Sequence, residues 1–244
     1  MKDFYYDLHI HSCLSPCADN DNTPNNIAGM ASLCELDIVA LTDHNSVLNC
    51  PAFFEAARKY GIIPIAGMEL TTSEDIHMIC LFESLSGALE FSRAVDKHRV
   101  KIKNRPEIFG DQLILDKDDN LISSEENLLP NATTLDLVSG ARLVNEFKGI
   151  CYPAHVDRQA NGIISVLGAF PENPEFLFAE FNLGENVNLY KEKYGLEDKK
   201  ILVSSDAHYL TDFKDKENKI ALNTESSDEG EVIKELFKMF RGEI

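Results

Sequence analysis

The chain lacks long hydrophobic runs. None of its 244 residues belongs to an apolar stretch near the roughly 20 residues that cross a bilayer. Residues 1–7 also lack the apolar segment of a signal peptide. We therefore expect a cytoplasmic protein that has no membrane partner.

Positive charge is also scarce. The chain has 23 lysines and arginines against 41 aspartates and glutamates, which gives a net charge of −18. So acidic a surface repels the phosphate backbone, and this argues against nucleic acid as a partner. A small phosphorylated substrate remains compatible with the charge, because bound metal ions reverse the local potential. The oligomeric state is left open.

Several motifs of common enzyme classes are absent. The sequence has no Gly-x-Gly-x-x-Gly, no P-loop and no Gly-x-Ser-x-Gly, so nucleotide-cofactor and serine-hydrolase chemistry have no support. None of the six cysteines forms Cys-x-x-Cys. In a cytoplasmic protein we expect them to be mostly buried thiols, with Cys17 as the exception.

The strands and helices alternate along the chain. Seven apolar runs predict strands, at residues 4–10, 36–41, 62–66, 76–82, 150–152, 176–181 and 201–204. Six amphipathic or capped segments predict helices, at residues 24–34, 52–60, 86–100, 134–147, 185–194 and 231–240. The continuous apolar runs favour parallel strands covered by helices, hence an α/β fold.

One stretch interrupts this alternation. Residues 104–129 contain two short apolar runs around a turn-like Lys-Asp-Asp-Asn, which predicts an inserted β-hairpin. No repeat or linker is visible, so we expect residues 1–244 to form a single domain.

Histidines gather after the predicted strands. His9 and His11 are two apart in the first strand, so both side chains reach the same face and one metal ion can take both. Asp43 and His44 directly follow the second strand, where active sites of parallel barrels lie. Asp43 is open to three readings: a metal ligand, a group that orients an imidazole, or a helix N-cap.

The same pattern continues along the chain. Glu69 follows the third strand and has two oxygens to share between metals, and His77 opens the fourth strand. His155 follows the fifth strand, and Asp206 and His208 follow the last, again two apart. Any one of these residues alone could be structural, but together at successive strand ends they predict a multinuclear metal site.

As an ordered set, these residues resemble the PHP (polymerase and histidinol phosphatase) family. The motifs of that family are His-x-His, Thr-Asp-His, a lone His and Asp-x-His, and the resemblance runs from residue 7 to residue 208. It implies a distorted, TIM-like (β/α)7 barrel. It also implies three divalent metal ions, with zinc favoured and manganese or iron as alternatives.

The resemblance also implies which residues bind each ion. For the first metal it implies His9, His11, Glu69 and Asp206. For the second metal it implies Glu69, His77 and His155. For the third it implies His44, His208 and one residue of the loop after the first motif.

This loop departs from the usual pattern of the family. Relatives often carry Asp or His there, whereas this chain reads Ser15-Pro-Cys17-Ala-Asp19. Either Cys17 or Asp19 could fill the position, and we give Cys17 slightly more weight. A thiolate would favour zinc over manganese.

The implied chemistry is phosphoester hydrolysis. Two metals that share Glu69 would hold a bridging water as hydroxide near neutral pH, for attack on phosphorus. We place Glu69, Asp206 and His208 among the catalytic residues. Arg158 follows His155 by three positions and is either a phosphate clamp or the partner of a surface carboxylate.

The predicted substrate is a small phosphomonoester or a nucleotide, of which histidinol phosphate is one example. A second hypothesis is a nuclease, such as the 3′–5′ exonuclease activity of PHP domains attached to DNA polymerases. The third is a non-catalytic, metal-stabilised regulatory module. The four intact motifs favour an enzyme.

Overall fold

The computed structural model describes residues 1–243 and contains strands and helices in alternation. The strands are β1 (Lys2–Ile10), β2 (Ile38–Leu41), β3 (Ile63–Thr71), β4 (His77–Phe82), β5 (Leu113–Leu115), β6 (Leu121–Ser124), β7 (Ile150–Pro153), β8 (Phe178–Phe181), β9 (Lys200–Val203) and β10 (Lys219–Leu222). The helices are α1 (Pro24–Leu33), α2 (Cys50–Lys59), α3 (Leu85–Asp96), α4 (Pro106–Phe109), α5 (Leu137–Glu146), α6 (Ile163–Leu167), α7 (Val187–Tyr194) and α8 (Glu229–Phe240).

Seven strands follow one another around a curled, barrel-like sheet. Strands β1, β2, β3, β4 and β7 are hydrogen-bonded in that order. β8 lies beside β7 and pairs in parallel with β9. A parallel bridge between Ile10 and Ala207 links the chain after β9 back to β1. These are the seven predicted strands, in the predicted α/β barrel class.

The sheet is mixed, whereas the buried runs predicted parallel pairing. β4 runs antiparallel to both β3 and β7, because only residues 72–76 join β3 to β4. A parallel crossover needs about a dozen residues. The turn is closed by hydrogen bonds between Thr72 and Ile76. As a result, the start of β4 lies at the same end of the barrel as the end of β3.

Two apolar clusters cover the two faces of the strands. Along β2, Ile38 and Ala40 belong to one cluster and Val39 and Leu41 to the other, as strand geometry requires. The cluster of Ile38 and Ala40 also contains residues of α8, and the cluster of Val39 and Leu41 contains residues of α1, α2, α3 and α5. Burial on both faces explains why the strands read as continuous apolar runs.

Local sequence signals predicted the ends of most helices to within a few residues. Thr23 caps α1 by accepting a hydrogen bond from the Asn26 amide, and Pro24 is the first helical residue. The short helices α4 and α6 and the edge strand β10, which pairs antiparallel with β1, were not predicted. Within residues 104–129, β5 and β6 pair antiparallel, with Leu113 opposite Ser124.

The cysteines follow the expected distribution. Cys13, Cys34, Cys50 and Cys80 are buried, and all six thiols are free. Cys17 is the exposed one. Among residues 1–243, no helix is both long and apolar enough to cross a bilayer.

Candidate metal centre

One end of the barrel collects the predicted ligand residues. His9, His44, His155 and Asp206 lie in or just after β1, β2, β7 and β9, and Glu69 lies near the end of β3. His77 begins β4, and the antiparallel direction of β4 brings it to the same end. The reversed strand therefore completes the cluster that sequence reasoning had placed at strand ends.

Several residues at this end have a left-handed backbone. The φ angles are 48° for Asn45, 27° for His155 and 53° for Asp206. Non-glycine residues rarely adopt this region, and such conformations persist where the surroundings hold them. The His155 amide donates to Glu180 Oε1 at 3.2 Å, and the Asn45 side chain donates to the carbonyls of Leu129 and Asn131.

Glu69 stands at the centre of the cluster and is only 1% exposed. Its carboxylate oxygens are surrounded by five imidazole nitrogens: His77 Nδ1 at 2.7 Å, His44 Nδ1 at 2.9 Å, His155 Nε2 at 3.1 Å, His11 Nε2 at 3.3 Å and His9 Nε2 at 3.4 Å. A carboxylate so surrounded can bridge metal ions on two sides.

Asp206 forms a second focus beside His9 and His11. Its Oδ1 lies 3.2 Å from His9 Nε2 and 3.3 Å from His11 Nε2. The two Nε2 atoms are 3.1 Å apart. His9, His11 and Asp206 therefore present three ligand atoms to one point, with Glu69 adjacent.

His44 and His208 approach His11 from the other side, and one ligand atom from each of the three lies within 4.8 Å of the others. Cys17 lines the same cavity as His44 and His208. Asp19 is exposed, and its Oδ1 accepts a hydrogen bond from the Asp21 amide. The geometry thus brings Cys17, not the Asp19 carboxylate, to the histidine pair.

Three of the ring nitrogens that point away from the centre have protein partners, those of His9, His11 and His208. Glu180 Oε1 lies 2.8 Å from His9 Nδ1, and the Asp206 carbonyl lies 2.8 Å from His208 Nδ1. Since Ser15 Oγ donates to Asp43 at 2.7 Å, it accepts from His11 Nδ1 at 3.0 Å. Each contact places a proton on Nδ1 and leaves the Nε2 lone pair free for a metal.

Other atoms at the centre have no hydrogen-bond partner. His44 Nδ1 and Glu69 Oε2 are buried and lie 2.9 Å apart, yet neither makes a hydrogen bond among the described residues. Buried polar atoms are seldom left in this state, because desolvation without a partner is costly. The residues present therefore fit divalent ions bound between the rings and the carboxylates.

The charges of the cluster depend on one another. Burial alone would raise the pKa of Glu69, but His77, His44 and His9 hold it well below its usual range. Burial alone would lower the pKa of His9, but Glu180, Asp206 and Glu69 raise it well above its usual range. For Cys17, desolvation of the thiol on its cavity side would raise the pKa, but the neighbouring His44 and His208 outweigh it and lower the thiol pKa to about 5. A thiolate is a good zinc ligand.

Asp43 lies behind the cluster. Its carboxylate accepts hydrogen bonds from the Ser12 amide at 2.8 Å, from Ser12 Oγ at 2.6 Å and from Ser15 Oγ at 2.7 Å. Through Ser15 it acts on the His11 ring. Of the three readings of Asp43, the geometry favours an orienting group over a direct ligand.

Glu180 was missed by sequence reasoning. It is buried within β8, Phe178-Ala-Glu180-Phe181, and contacts both His9 and the His155 amide. The available signal was a carboxylate inside an otherwise apolar run, where an unpaired charge would be costly. Its partner His9 is 171 positions away in sequence, so the contact between the two could not be predicted from the sequence.

A cavity of about 270 Å³ opens onto the cluster. Besides the ligand residues, Cys17, Pro130, Arg158 and Asn161 line it. Arg158 forms an ion pair with Asp206 Oδ2 and is 45% exposed. Asp157, the neighbouring carboxylate, instead accepts from the amides of Asn182 and Leu183. The guanidinium of Arg158 therefore lies at the cavity, beside a predicted ligand.

Imidazoles and carboxylates gathered at one end of a barrel-like sheet define the class of metal-dependent hydrolases. The model of the PHP domain matches residues 7–240, and the chain belongs to the PHP-domain family. The predicted family is confirmed, as are the fold class and the broad class of enzyme.

Similar proteins include nucleic-acid enzymes. The chain is 33% identical to the error-prone DNA polymerase of Symbiobacterium thermophilum over 88 residues, 36% of this chain and 8% of the polymerase. The lesion-specific endonuclease PfuEndoQ from Pyrococcus furiosus has a TM-score of 0.67 at 18% identity, over 99% of this chain and 56% of that one. The chain thus spans well under two thirds of the length of both relatives.

One of these likenesses corrects a prediction. Endonuclease Q in complex with a 27-mer duplex that carries an abasic lesion at its active site has a TM-score of 0.63, at 18% identity, over 99% of this chain and 57% of that one. The expectation that net charge rules against a nucleic-acid partner is therefore wrong. Net charge averages over the whole surface, whereas phosphate responds to the local field, to which bound metal ions contribute most.

Proposed function

We propose that the chain is a metal-dependent phosphoesterase that hydrolyses a phosphate ester in the cavity above Glu69. The observation that carries the proposal is the position of Glu69, whose two oxygens face five imidazole nitrogens within 3.4 Å. This arrangement supports more than one divalent ion around a shared carboxylate. A phosphoryl group needs such clustered positive charge in the transition state.

Three divalent ions are proposed, with zinc preferred. The first would be held by His9, His11, Glu69 and Asp206. The second would be held by Glu69, His77 and His155. The third would be held by His44, His208 and Cys17, whose lowered thiol pKa supports zinc. Bound ions of this kind polarise the phosphoryl oxygens and lower the pKa of a water molecule.

The chain's own groups position the ester. Arg158 lies at the cavity, where its guanidinium can bind two phosphate oxygens. His208 is partly exposed, and its Nδ1 is engaged by the Asp206 carbonyl, so only Nε2 faces the cavity contents. The cavity of about 270 Å³ suits a phosphomonoester of modest size or a single nucleotide unit of a strand.

The first candidate substrate is a small phosphomonoester. A second candidate, a phosphodiester of a nucleic-acid strand, is favoured by the likeness to Endonuclease Q over 99% of this chain. Hydrolysis of either substrate begins with attack on phosphorus. The two substrates differ because a diester carries a second ester substituent and one fewer negative charge, so assays with one ester of each kind distinguish them.

The test combines metal analysis with three substrates. The metal content of the purified protein is measured, and the protein is then supplied with zinc or manganese. It is assayed with p-nitrophenyl phosphate, bis-p-nitrophenyl phosphate and a duplex that carries one abasic site. We expect turnover of at least one ester, and loss of at least about 100-fold in Asp206→Asn and His44→Ala.

Asp198→Asn is the matched control, because Asp198 lies outside the cluster, is exposed and forms an ion pair with Lys199. It should retain activity. A fully metallated protein that hydrolyses none of the three substrates would contradict the proposal. Full activity in Asp206→Asn would contradict the site assignment but not the activity.

A further inference from the structure

Cations are concentrated beside the cavity in an otherwise acidic chain. Five of the 23 lysines and arginines lie in residues 97–105, which we call the basic strip and which contain no acidic residue. They are Lys97, Arg99, Lys101, Lys103 and Arg105. We propose that the basic strip binds the backbone of a nucleic-acid strand and leads it into the metal centre. The inference rests on the proposed phosphoesterase function and names the class of its substrate.

The members of the strip differ in what they already contact. Arg99 is buried and is occupied by Asp96, Glu125 and the Asn127 carbonyl. Lys101 pairs with Asp96. Among residues 1–243, Lys97, Lys103 and Arg105 have no ion-pair partner, and all three are exposed. Of these, Lys103 and Arg105 line one groove and are free to bind phosphate there.

The backbone holds the free cations in a fixed arrangement. Antiparallel bridges join Arg99 to Thr133 and Lys103 to Asn127, and the Leu128 amide donates to the Ile102 carbonyl. In extended chain, residues two apart point to the same side about 7 Å from each other. Lys103 and Arg105 thus present their charges in a row, as successive phosphates of a strand require.

Exposed apolar side chains accompany these charges. Ile102 is 51% exposed, Ile108 55% and Phe109 42%. The Arg105 guanidinium lies 6.0 Å from the Phe109 ring centroid. Surfaces that bind single strands combine such cations with aromatic rings on which bases stack. The acidic neighbours Glu107 and Glu126 reduce the local charge but are not paired with either free cation.

The strip reaches the cavity along two short paths. Asn131 borders the groove that Lys103 and Arg105 line, and its neighbour Pro130 lines the metal cavity. On the other path, Gly110 packs so closely against the Pro16 carbonyl that an added Cβ would come within 2.2 Å of it. Pro16 precedes Cys17, a lining residue of the same cavity. A strand bound along the strip would therefore lie close to the mouth of the metal cavity.

The test measures binding, independently of turnover. The metal-loaded protein of residues 1–244 is titrated into a fluorescent single-stranded 20-mer of DNA, with anisotropy as the readout, at several salt concentrations. We expect Lys103→Ala/Arg105→Ala to bind about tenfold more weakly near 0.1 M salt. The slope of log affinity against log salt should fall by about 1.4, because each single-strand phosphate contact contributes about 0.7. Phe109→Ala should lose roughly tenfold through stacking.

Arg142→Ala/Lys234→Ala is the control, since it removes the same charge from exposed positions of α5 and α8. Metal content of each variant is measured to confirm an intact centre. Equal weakening by both double variants would overturn the proposal. Binding to phosphatidylserine vesicles without binding to DNA would overturn it as well. A protein that binds the strand through the strip but hydrolyses no ester would refute the proposed function and leave this surface standing.

Discussion

At the scale of single residues, the centre depends on groups behind the ligands. Glu180, Ser15 and a backbone carbonyl each take one ring nitrogen of a histidine and so fix which nitrogen faces inward. The ligand residues could be predicted from the sequence because His-x-His and Asp-x-His are local patterns. The supporting groups were not readable, because their contacts, such as that of Glu180 with His9, form only in the folded chain.

Glu180→Gln should weaken metal binding by 10- to 100-fold, the usual cost of losing a carboxylate behind a ligating histidine. Glutamine keeps the shape and an acceptor but loses the charge that makes the His9 ring more basic. The affinity is measured by competition with a coloured chelator. Glu185→Gln, an exposed acid after the same strand, should bind metal normally. Equal affinities in the two variants would show that Glu180 has no influence on the metal.

Arg158→Ala should raise KM by about tenfold and change kcat little, because the charge-assisted hydrogen bonds of the guanidinium to bound phosphate are lost in both ground and transition states. Steady-state kinetics on the preferred ester give the two constants separately. Arg142→Ala, an exposed arginine on α5, is the control. If kcat fell and KM stayed the same, the guanidinium would act only in the transition state.

At the scale of elements, seven apolar runs predicted all seven barrel strands, because most of these strands are largely buried on both faces. Their directions were not predictable in the same way. β4 is reversed by the short connection at residues 72–76, and only this reversal brings His77 to Glu69. The edge strand β10 was not predicted because its residues alternate between exposed and buried, and its apolar run, Ile220–Leu222, has only three residues between Lys219 and Asn223.

Glu125, which follows β6, forms an ion pair with Arg99 of the basic strip. The stability of the β5–β6 hairpin should therefore depend on pH. Burial alone would raise the pKa of Glu125, but the Asn127 amide and Arg99 lower it. Because the folded pKa lies below that of the unfolded chain, the ionised carboxylate stabilises the fold above about pH 4.3. This contribution disappears as pH falls through the folded pKa.

Glu125→Gln should therefore lower the free energy of unfolding by about 1 kcal/mol at pH 7, and by progressively less below pH 4. Urea denaturation of the metal-free variant and of the metal-free parent chain, at pH 7 and below pH 4, measures the difference in their free energy of unfolding. Glu126→Gln alters the exposed neighbour and should change stability little at either pH. A loss in Glu125→Gln that is constant with pH would mean that packing, not charge, is responsible.

At the scale of the whole molecule, an acidic chain contains a cluster of histidines and carboxylates that can hold divalent ions. The net charge of −18 led to the wrong expectation about nucleic acid, because it hid the cations of residues 97–105 and the ions that the centre can hold. Without those ions, the fold must bury a cluster of histidines and carboxylates with unpartnered atoms such as His44 Nδ1. Metal binding should therefore contribute to folding stability.

Removal of the metals should lower the melting temperature by about 10 °C. A ligand at about 1,000 times its dissociation constant adds about 4 kcal/mol of stability, and each kcal/mol shifts the melting temperature of a chain this long by about 2–4 °C. Calorimetry before and after chelation, then after addition of zinc, measures the effect. Asp206→Asn, which lacks one ligand of the first proposed site, should respond less to the chelator because it has less bound metal to lose. An unchanged melting temperature in the parent chain would mean that the buried charges of Glu69 and its histidines are satisfied without metal.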